Sequence, residues 1–339
     1  MAHSKDRAAI LRGMTAAMKL HRDLGTKDRL DPTARVDVYG AIARTGAVLM
    51  FKPLNPLLGA FMREGDTRGI VITLQRPSGV QRFTASHELG HLIMEHEPNA
   101  DGDDILRRGP LESSASSVPI QEREADAFAS HFLLPKFALS KLLRQQQWTR
   151  EDLRNPHCLY QAALRLGASY EATVRAFERD KLLGRQERVA LLSIRPRDIK
   201  VELVDEHQPS NWQNRDVWRL TEKDADTVIE AGRNDLFVLK LREHRGSGYL
   251  WTFEELKKAG FVILKDEVDA IYPDRVGGSK RRWVLGDTSA LQEGTYNIEH
   301  IRPWGEKEAA ETLRLRYQHS PGREDGLYWN QTSQALGAG

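Results

Sequence analysis

Five consecutive residues, His87-Glu88-Leu89-Gly90-His91, constrain this chain more than any other feature. Histidines four apart lie one turn apart on the same face of a helix, so both imidazoles can grip one metal ion. Neutral imidazole suits Zn²⁺, and two such ligands leave room for a third protein ligand and a water. A carboxylate beside the first ligand, here Glu88, is placed to take the proton of that water as it attacks a carbonyl. The bare pattern arises by chance on the order of once per hundred chains of this length, so its surroundings decide its weight.

Those surroundings favour a metal site. Ser78 and Gln81 stand at capping-box spacing and predict a helix from about Gly79 to the residues before Pro98. Three brief apolar runs, 47–51, 57–62 and 69–74, precede it and read as a small meander. Phe83 and Met94 share the apolar face of the helix, and Gly90 leaves space for a close neighbour. Met94 and Glu97 stand where a glycine and a third histidine ligand would extend the motif, so the third ligand comes from elsewhere.

Glu122 and Asp126, in EREAD, are one turn apart on a helix rich in Ala and Phe that ends before Pro135. Taken alone, EREAD reads as a solvated helix face. Downstream of the histidine pair it also reads as the rest of a His₂Glu zinc site: Glu122 is the ligand, and Asp126 fixes the outer nitrogen of a ligating histidine. Glu124 then points away, and His96 and His131 read as ordinary surface or packing histidines outside the site.

A length of 339 residues favours two units. Residues 4–48 read mainly as helix, and 97–117 form an acidic, Gly- and Ser-containing stretch expected to be a lid or disordered insert. Helices fill 136–185, with a helix-turn-helix outline pivoting at Gly167 that reads as a packing unit or as a DNA-binding element. Beyond 187 the period changes: Phe237, Leu239 and Leu241, and again Leu313, Leu315 and Tyr317, alternate with more polar neighbours. The expectation is an α+β chain: a helical first domain over 1–187, a β-sandwich over 188–318 carrying a short helical insert at TFEELKKAG, and a tail over 319–339.

Fifty basic against 48 acidic residues leave a charge of +2, which gives little long-range pull toward nucleic acid or an anionic membrane. The single cysteine, Cys158, excludes an internal disulfide and a cysteine zinc cage and suits a reducing compartment. The first residues lack the apolar core of a signal peptide, and no run of eighteen apolar residues occurs. A cytoplasmic protein without a membrane segment is expected.

HELGH, followed by Glu122, Ala125 and Asp126 and then by Phe128, Ala129 and Leu133 to Pro135, resembles the ImmA/IrrE metallopeptidases over roughly residues 1–187. The resemblance implies a zincin-like fold of gluzincin type, Zn²⁺ held by His87, His91 and Glu122, Glu88 as general base, and limited cytoplasmic proteolysis. It further implies a protein substrate of the helix-turn-helix repressor class, in a stress, mobile-element or phage-response circuit. Where such sequences often continue HELGHxxLH, this chain has Glu95, with His96 shifted by one.

More faintly, residues 215–318 resemble chagasin-like inhibitors of cysteine peptidases, which are immunoglobulin-like β-sandwiches. Arg302-Pro303-Trp304, Gly277 and Gly278 before a strand at 282–285, and the GYLWTF segment with Trp251 fall in the order of that family's three binding loops. HRGSG at 244–248, Arg275 and Gly305 depart from its loop motifs. The resemblance implies a sandwich kept as a recognition or regulatory module, with Trp251 and Trp304 either presented on loops or packed, or placed against the first domain as an autoinhibitory gate. Two classes of function stand: a zinc endopeptidase guided or gated by the sandwich, and a non-catalytic sensor, binding protein or peptidase inhibitor. DNA binding through 159–183 is a third.

Overall fold

The computed structural model describes residues 2–30, 34–55, 57–97, 119–270, 280–304, 308–319 and 326–327. The expected insert at 97–117, apart from Glu97, lies outside these residues, as do Arg275, Gly277, Gly278 and Gly305.

The first sheet uses β1 (Val48–Lys52), β2 (Gly59–Glu64) and β3 (Thr67–Thr73), with β12 (Gly326–Leu327) at one edge, in the order β12-β1-β3-β2. It is not the meander that the spacing predicts, because β3 lies between β1 and β2. β1 and β3 pair in parallel, Val48 opposite Gly69. Pro53, directly after β1, lacks the amide proton that would carry the strand's ladder into a tight turn. β2 and β3 do form a tight hairpin, turning at Gly65, whose φ of 57° suits glycine.

The helix α3 (Ser78–Ile93) follows β3 at once and shares one core with it: Ala85, Leu89 and Leu92 are buried in the same cluster as Ile70 and Ile72. Its start differs from the expected capping box. Pro77 occupies the cap without a side-chain bond, and the Gln81 amide donates backward to the Leu74 carbonyl at 3.3 Å.

α4 (Ile120–Leu133) runs between α3 and α1 (Ala2–Asp23), and glycines on both sides set its depth. A Cβ at Gly13 of α1 would stand 2.2 Å from the Glu124 carbonyl oxygen. A Cβ at Gly90 of α3 would stand 3.1 Å from the Phe128 ring and 3.2 Å from the Ala125 Cα. α2 (Val38–Arg44), α5 (Lys136–Gln146), α6 (Pro156–Leu166) and α7 (Tyr170–Arg179) complete this layer, with the α6–α7 turn at Gly167, φ 65°. The helices continue through α8 (Arg185–Leu192) and α9 (Pro196–Val204), past residue 187.

Eight strands follow: β4 (Val217–Leu220), β5 (Val228–Ala231), β6 (Leu236–Glu243), β7 (Leu250–Thr252), β8 (Val262–Ala270), β9 (Lys280–Asp287), β10 (Gly294–Ile301) and β11 (Glu311–His319). The TFEELKKAG segment contributes the short α10 (Glu254–Lys258) between β7 and β8. The strands form two four-stranded sheets, β4-β6-β9-β8 and β5-β11-β10-β7, in which β4–β6 and β5–β11 pair in parallel and the rest antiparallel. Phe237, Leu239 and Leu241 of β6 meet Leu313, Leu315 and Tyr317 of β11 in a core of their own.

Over β4, β6 and β9 the other face of the first of these sheets is not solvated. Leu236 and Val238 of β6, with Val217, Trp283 and Leu285, belong to the helical core. A sheet covered on both faces reads as a continuous apolar run, which accounts for LFVL at the start of β6. Within the segment read as a tail, β12 pairs with β1, Met50 opposite Leu327. No helix among the described residues is long and apolar enough to cross a membrane.

Candidate metal centre

α3 turns His87 and His91 to one side, and α4 brings Glu122 to meet them. Their Nε2 atoms are 3.0 Å apart, and Glu122 reaches His87 Nε2 at 3.1 Å and His91 Nε2 at 3.5 Å. Ligands bonded to zinc at 2.0–2.1 Å in a tetrahedron stand about 3.3 Å from one another, which brackets these separations. These three residues form the one such cluster of possible metal ligands among the described residues. All three are buried, and so is Glu88.

The outer nitrogens fix which lone pairs face the centre. His87 Nδ1 lies 2.9 Å from Asp126 Oδ1; a carboxylate only accepts, so that nitrogen carries the proton and Nε2 presents its lone pair. His91 is held differently. Its Nδ1 lies 3.0 Å from His96 Nδ1, and His96 Nε2 lies 2.8 Å from Glu124 Oε2. Glu124 makes His96 Nε2 the donor, so a neutral His96 accepts the Nδ1 proton of His91 and leaves His91 Nε2 unprotonated. With His87 neutral, two lone pairs and a carboxylate converge with no donor between them, an arrangement that calls for a cation.

The electrostatics carry the same sign. Burial disfavours the charged imidazole at both histidines. At His91, where His87 adds to it, the pKa falls to about 3. At His87 burial is outweighed by hydrogen bonds to Asp126 and Glu122 and by the charge of Glu88, and the pKa rises to about 10. The carboxylates around His87 thus favour one positive charge at the centre, whether a second proton on that ring or a cation in its place.

One sequence expectation is extended here and another is corrected. Glu124 does point away from the centre, yet not to solvent: α1 covers that side of α4, and Arg12 Nε donates to Glu124 Oε1 at 2.6 Å. His96 is no ordinary surface histidine. Glu95 adopts φ 56° and ends α3 in a left-handed turn, with the His96 amide bonded back to the His91 carbonyl at 3.0 Å, which folds the ring onto His91. No glycine marks that turn in the sequence; only the shifted position of His96 signalled it. His131 stays outside, its Nδ1 bonded to the Ala127 carbonyl at 2.8 Å.

Of the four loop residues named for partner binding, Trp251 takes the packed alternative and is not presented to a partner. It is buried, stacked on His300 with ring centroids 4.7 Å apart, and its Nε1 donates to the Arg242 carbonyl at 2.7 Å. Its place on β7, in register with β10, turns it into the sheet core. Trp304 is 74% exposed. Arg302 and Pro303 are exposed beside it, with the Arg302 guanidinium 4.5 Å from the Tyr249 ring centroid.

The basic residues of the α6–α7 pair are engaged. Arg165 is buried against Asp224 at 2.8 Å, Arg175 pairs with Glu171, and Arg179 donates to the Ser130 carbonyl. A cavity of about 810 Å³ opens at the N-terminal end of α3, where Gln75, Tyr160, Asp216, Trp218 and Asp235 line it. None of the metal-centre residues lines it.

Residues 42–178 match the peptidase M78 family model, the IrrE N-terminal-like domain. The match spans the two histidines, Glu88, Glu122 and Asp126 and begins after α1. No curated protein matches the chain. Solved structures similar to it include the cysteine protease inhibitor EhICP2 from Entamoeba histolytica, 27% identical, covering 32% of this chain and 97% of that one with a TM-score of 0.27. Amebosin is 21% identical over 30% of this chain and 95% of its own, with a TM-score of 0.25. A Mycobacterium tuberculosis transcriptional regulator is 14% identical over 85% and 77%, with a TM-score of 0.29. Scores of this size carry no fold across. The family match and the donor set together suggest a metallopeptidase-type domain.

Proposed function

We propose that this chain is a zinc-dependent endopeptidase that makes limited cuts in a protein partner. The observation that carries the reading is the convergence of His87 Nε2, His91 Nε2 and the Glu122 carboxylate, with the outer nitrogen of each imidazole held by a separate partner. Zinc in this place supplies Lewis acidity, polarising a substrate carbonyl and lowering the pKa of a water toward neutrality.

The protein's own groups do the rest. Glu88 takes the proton of the attacking water and delivers it to the departing amine, a role its buried carboxylate fills beside His87. Asp126 keeps the His87 ring aimed at the centre. An extended substrate segment can pair along the edge of β2, which packs against α3 and carries no partner strand among the described residues; β12 covers the opposite edge of that sheet.

The substrate we propose is a cytoplasmic helix-turn-helix repressor, in keeping with the IrrE-like match. The sheet-rich half, read as an immunoglobulin-like sandwich, binds that partner through Arg302, Pro303 and Trp304. In the test, Glu88→Gln keeps its zinc while cleavage of a candidate repressor falls about 10²- to 10⁴-fold. Cleavage at the wild-type rate in that variant removes the mechanism.

One observation favours a second reading, that of a binding protein or peptidase inhibitor: the exposed Trp304 indole beside Arg302. If Glu88→Gln leaves biological output intact while Arg302→Ala and Trp304→Ala abolish it, binding is the function.

A further inference from the structure

The hydrogen bonds behind His91 do not stop at His96. They continue to Glu124 on α4 and to Arg12 on α1, a helix that precedes the segment matching the family model. The two oxygens of Glu124 are divided, Oε2 to His96 Nε2 at 2.8 Å and Oε1 to Arg12 Nε at 2.6 Å. The proton positions run one way along this line. The guanidinium has no acceptor and can only donate to Glu124; Glu124 accepts from His96; and His96 accepts from His91. His87 has a single carboxylate behind it, whereas His91 has a chain of three groups crossing two helix interfaces.

We propose that Arg12, Glu124 and His96 act as one positioning relay that fixes the tautomer and ring orientation of His91, so that α1 is part of the metal centre. The inference rests on the zinc reading above. It extends that reading by assigning a role in the centre to a helix outside the matched segment and to two residues that the motif does not contain.

The relay has a sharp chemical requirement at position 96: one atom must accept from His91 while another donates to Glu124. Glutamine meets it, with an amide oxygen and an amide nitrogen; leucine, of similar bulk, does not. A merely structural His96 would not make that distinction.

The experiment measures Co²⁺ and Zn²⁺ affinity of the full chain by chelator competition, with the Co²⁺ absorption spectrum as a second readout. His96→Leu is expected to bind 10- to 100-fold more weakly, the range typical of groups that orient a metal ligand, with an altered Co²⁺ spectrum. His96→Gln is expected to stay within roughly threefold of wild type. Arg12→Ala, on a half-exposed side chain, is expected to weaken binding by roughly three- to tenfold and to have no further effect in the His96→Leu background, because its influence passes through His96.

Wild-type affinity in His96→Leu, or an Arg12→Ala loss that adds in full to the His96→Leu loss, overturns the relay and leaves the zinc reading standing. A wild-type chain that takes up neither ion overturns both. Should His96→Leu fail to fold, Arg12→Ala against Arg12→Lys carries the test: lysine restores the charge and one donor, so a loss in both variants equal to that of a distant surface change overturns the relay.

Discussion

Replacing Gly13 by alanine gives a change whose sign the structure dictates. In an exposed helix this substitution stabilises by about 1 kcal/mol, because alanine is the better helix former. Gly13 is buried in the α1–α4 contact, where a Cβ would stand 2.2 Å from the Glu124 carbonyl oxygen, 2.9 Å from the Ala127 Cβ and 2.9 Å from the Phe128 amide nitrogen. The first of these is roughly 1 Å inside ordinary van der Waals contact. Two of the three atoms are backbone and cannot swing aside. Relief requires α1 to back away from α4, and overpacking of this kind costs about 1–3 kcal/mol. Taking the upper end for a backbone clash and subtracting the propensity gain leaves a net loss of about 2 kcal/mol. Thermal melting of the metal-free chain reads this directly, and amide exchange within α1 and α4 localises it. A variant that melts higher than the parent, by the amount an exposed helix would gain, refutes the claim that this glycine sets the helix spacing.

Three further outcomes are expected. His21 is buried flat against Phe132 with ring centroids 4.5 Å apart, and burial lowers its pKa to about 4 from the usual 6.5. The unfolded chain therefore binds this proton first on acidification. The contribution is intact above about pH 6.5 and is lost as pH falls toward 4, by about 3 kcal/mol, and His21→Phe should remove that part of the acid dependence in a denaturation series. Asp224 is buried against Arg165 and also accepts from Gln146, so Asp224→Ala strands a buried guanidinium; it should cost about 3–5 kcal/mol, whereas Arg165→Met with Asp224→Leu should come much closer to neutral on melting. Trp304→Ala should change stability by less than about 0.5 kcal/mol, and Trp251→Ala should cost about 3–5 kcal/mol, which equal effects of the two would contradict.

What the sequence revealed of the centre follows the range of the interactions involved. His87, Glu88 and His91 are legible because one helical turn sets their relation. Glu122 and Asp126 are legible as a pair for the same reason, and their distance from the histidines follows once α4 packs on α3. Glu124 was legible as facing away from the metal, but helical spacing does not tell what lies on that side. Its partners come from 112 and 28 residues away. His96 depends on a left-handed residue at Glu95 that the side chain does not announce. The strand periods at 237–241 and 313–317 placed the core between the two sheets correctly, but alternation could not show that the opposite face of β6 is covered as well. The order of the first sheet was lost to a parallel pairing that no local spacing encodes.

That doubly covered sheet bears on how the two halves can work together. A gate that swings needs an interface that opens at small cost, and this one holds Val217, Leu236, Val238, Trp283 and Leu285 in the helical core. It is also pinned by buried polar contacts: Arg165 to Asp224, the Gln161 amide to the Val217 carbonyl at 2.8 Å, and Arg35 to Glu230 at 2.6 Å. Withdrawing the sheets would expose the apolar side chains and strip partners from charges with almost no solvent contact, and each buried charge left alone costs several kcal/mol. Hinged opening is therefore the wrong picture for regulation by the second half. The surfaces free to change without disturbing this core are the exposed ones outside it, and the Arg302–Trp304 corner, with its indole in solvent, is one of them.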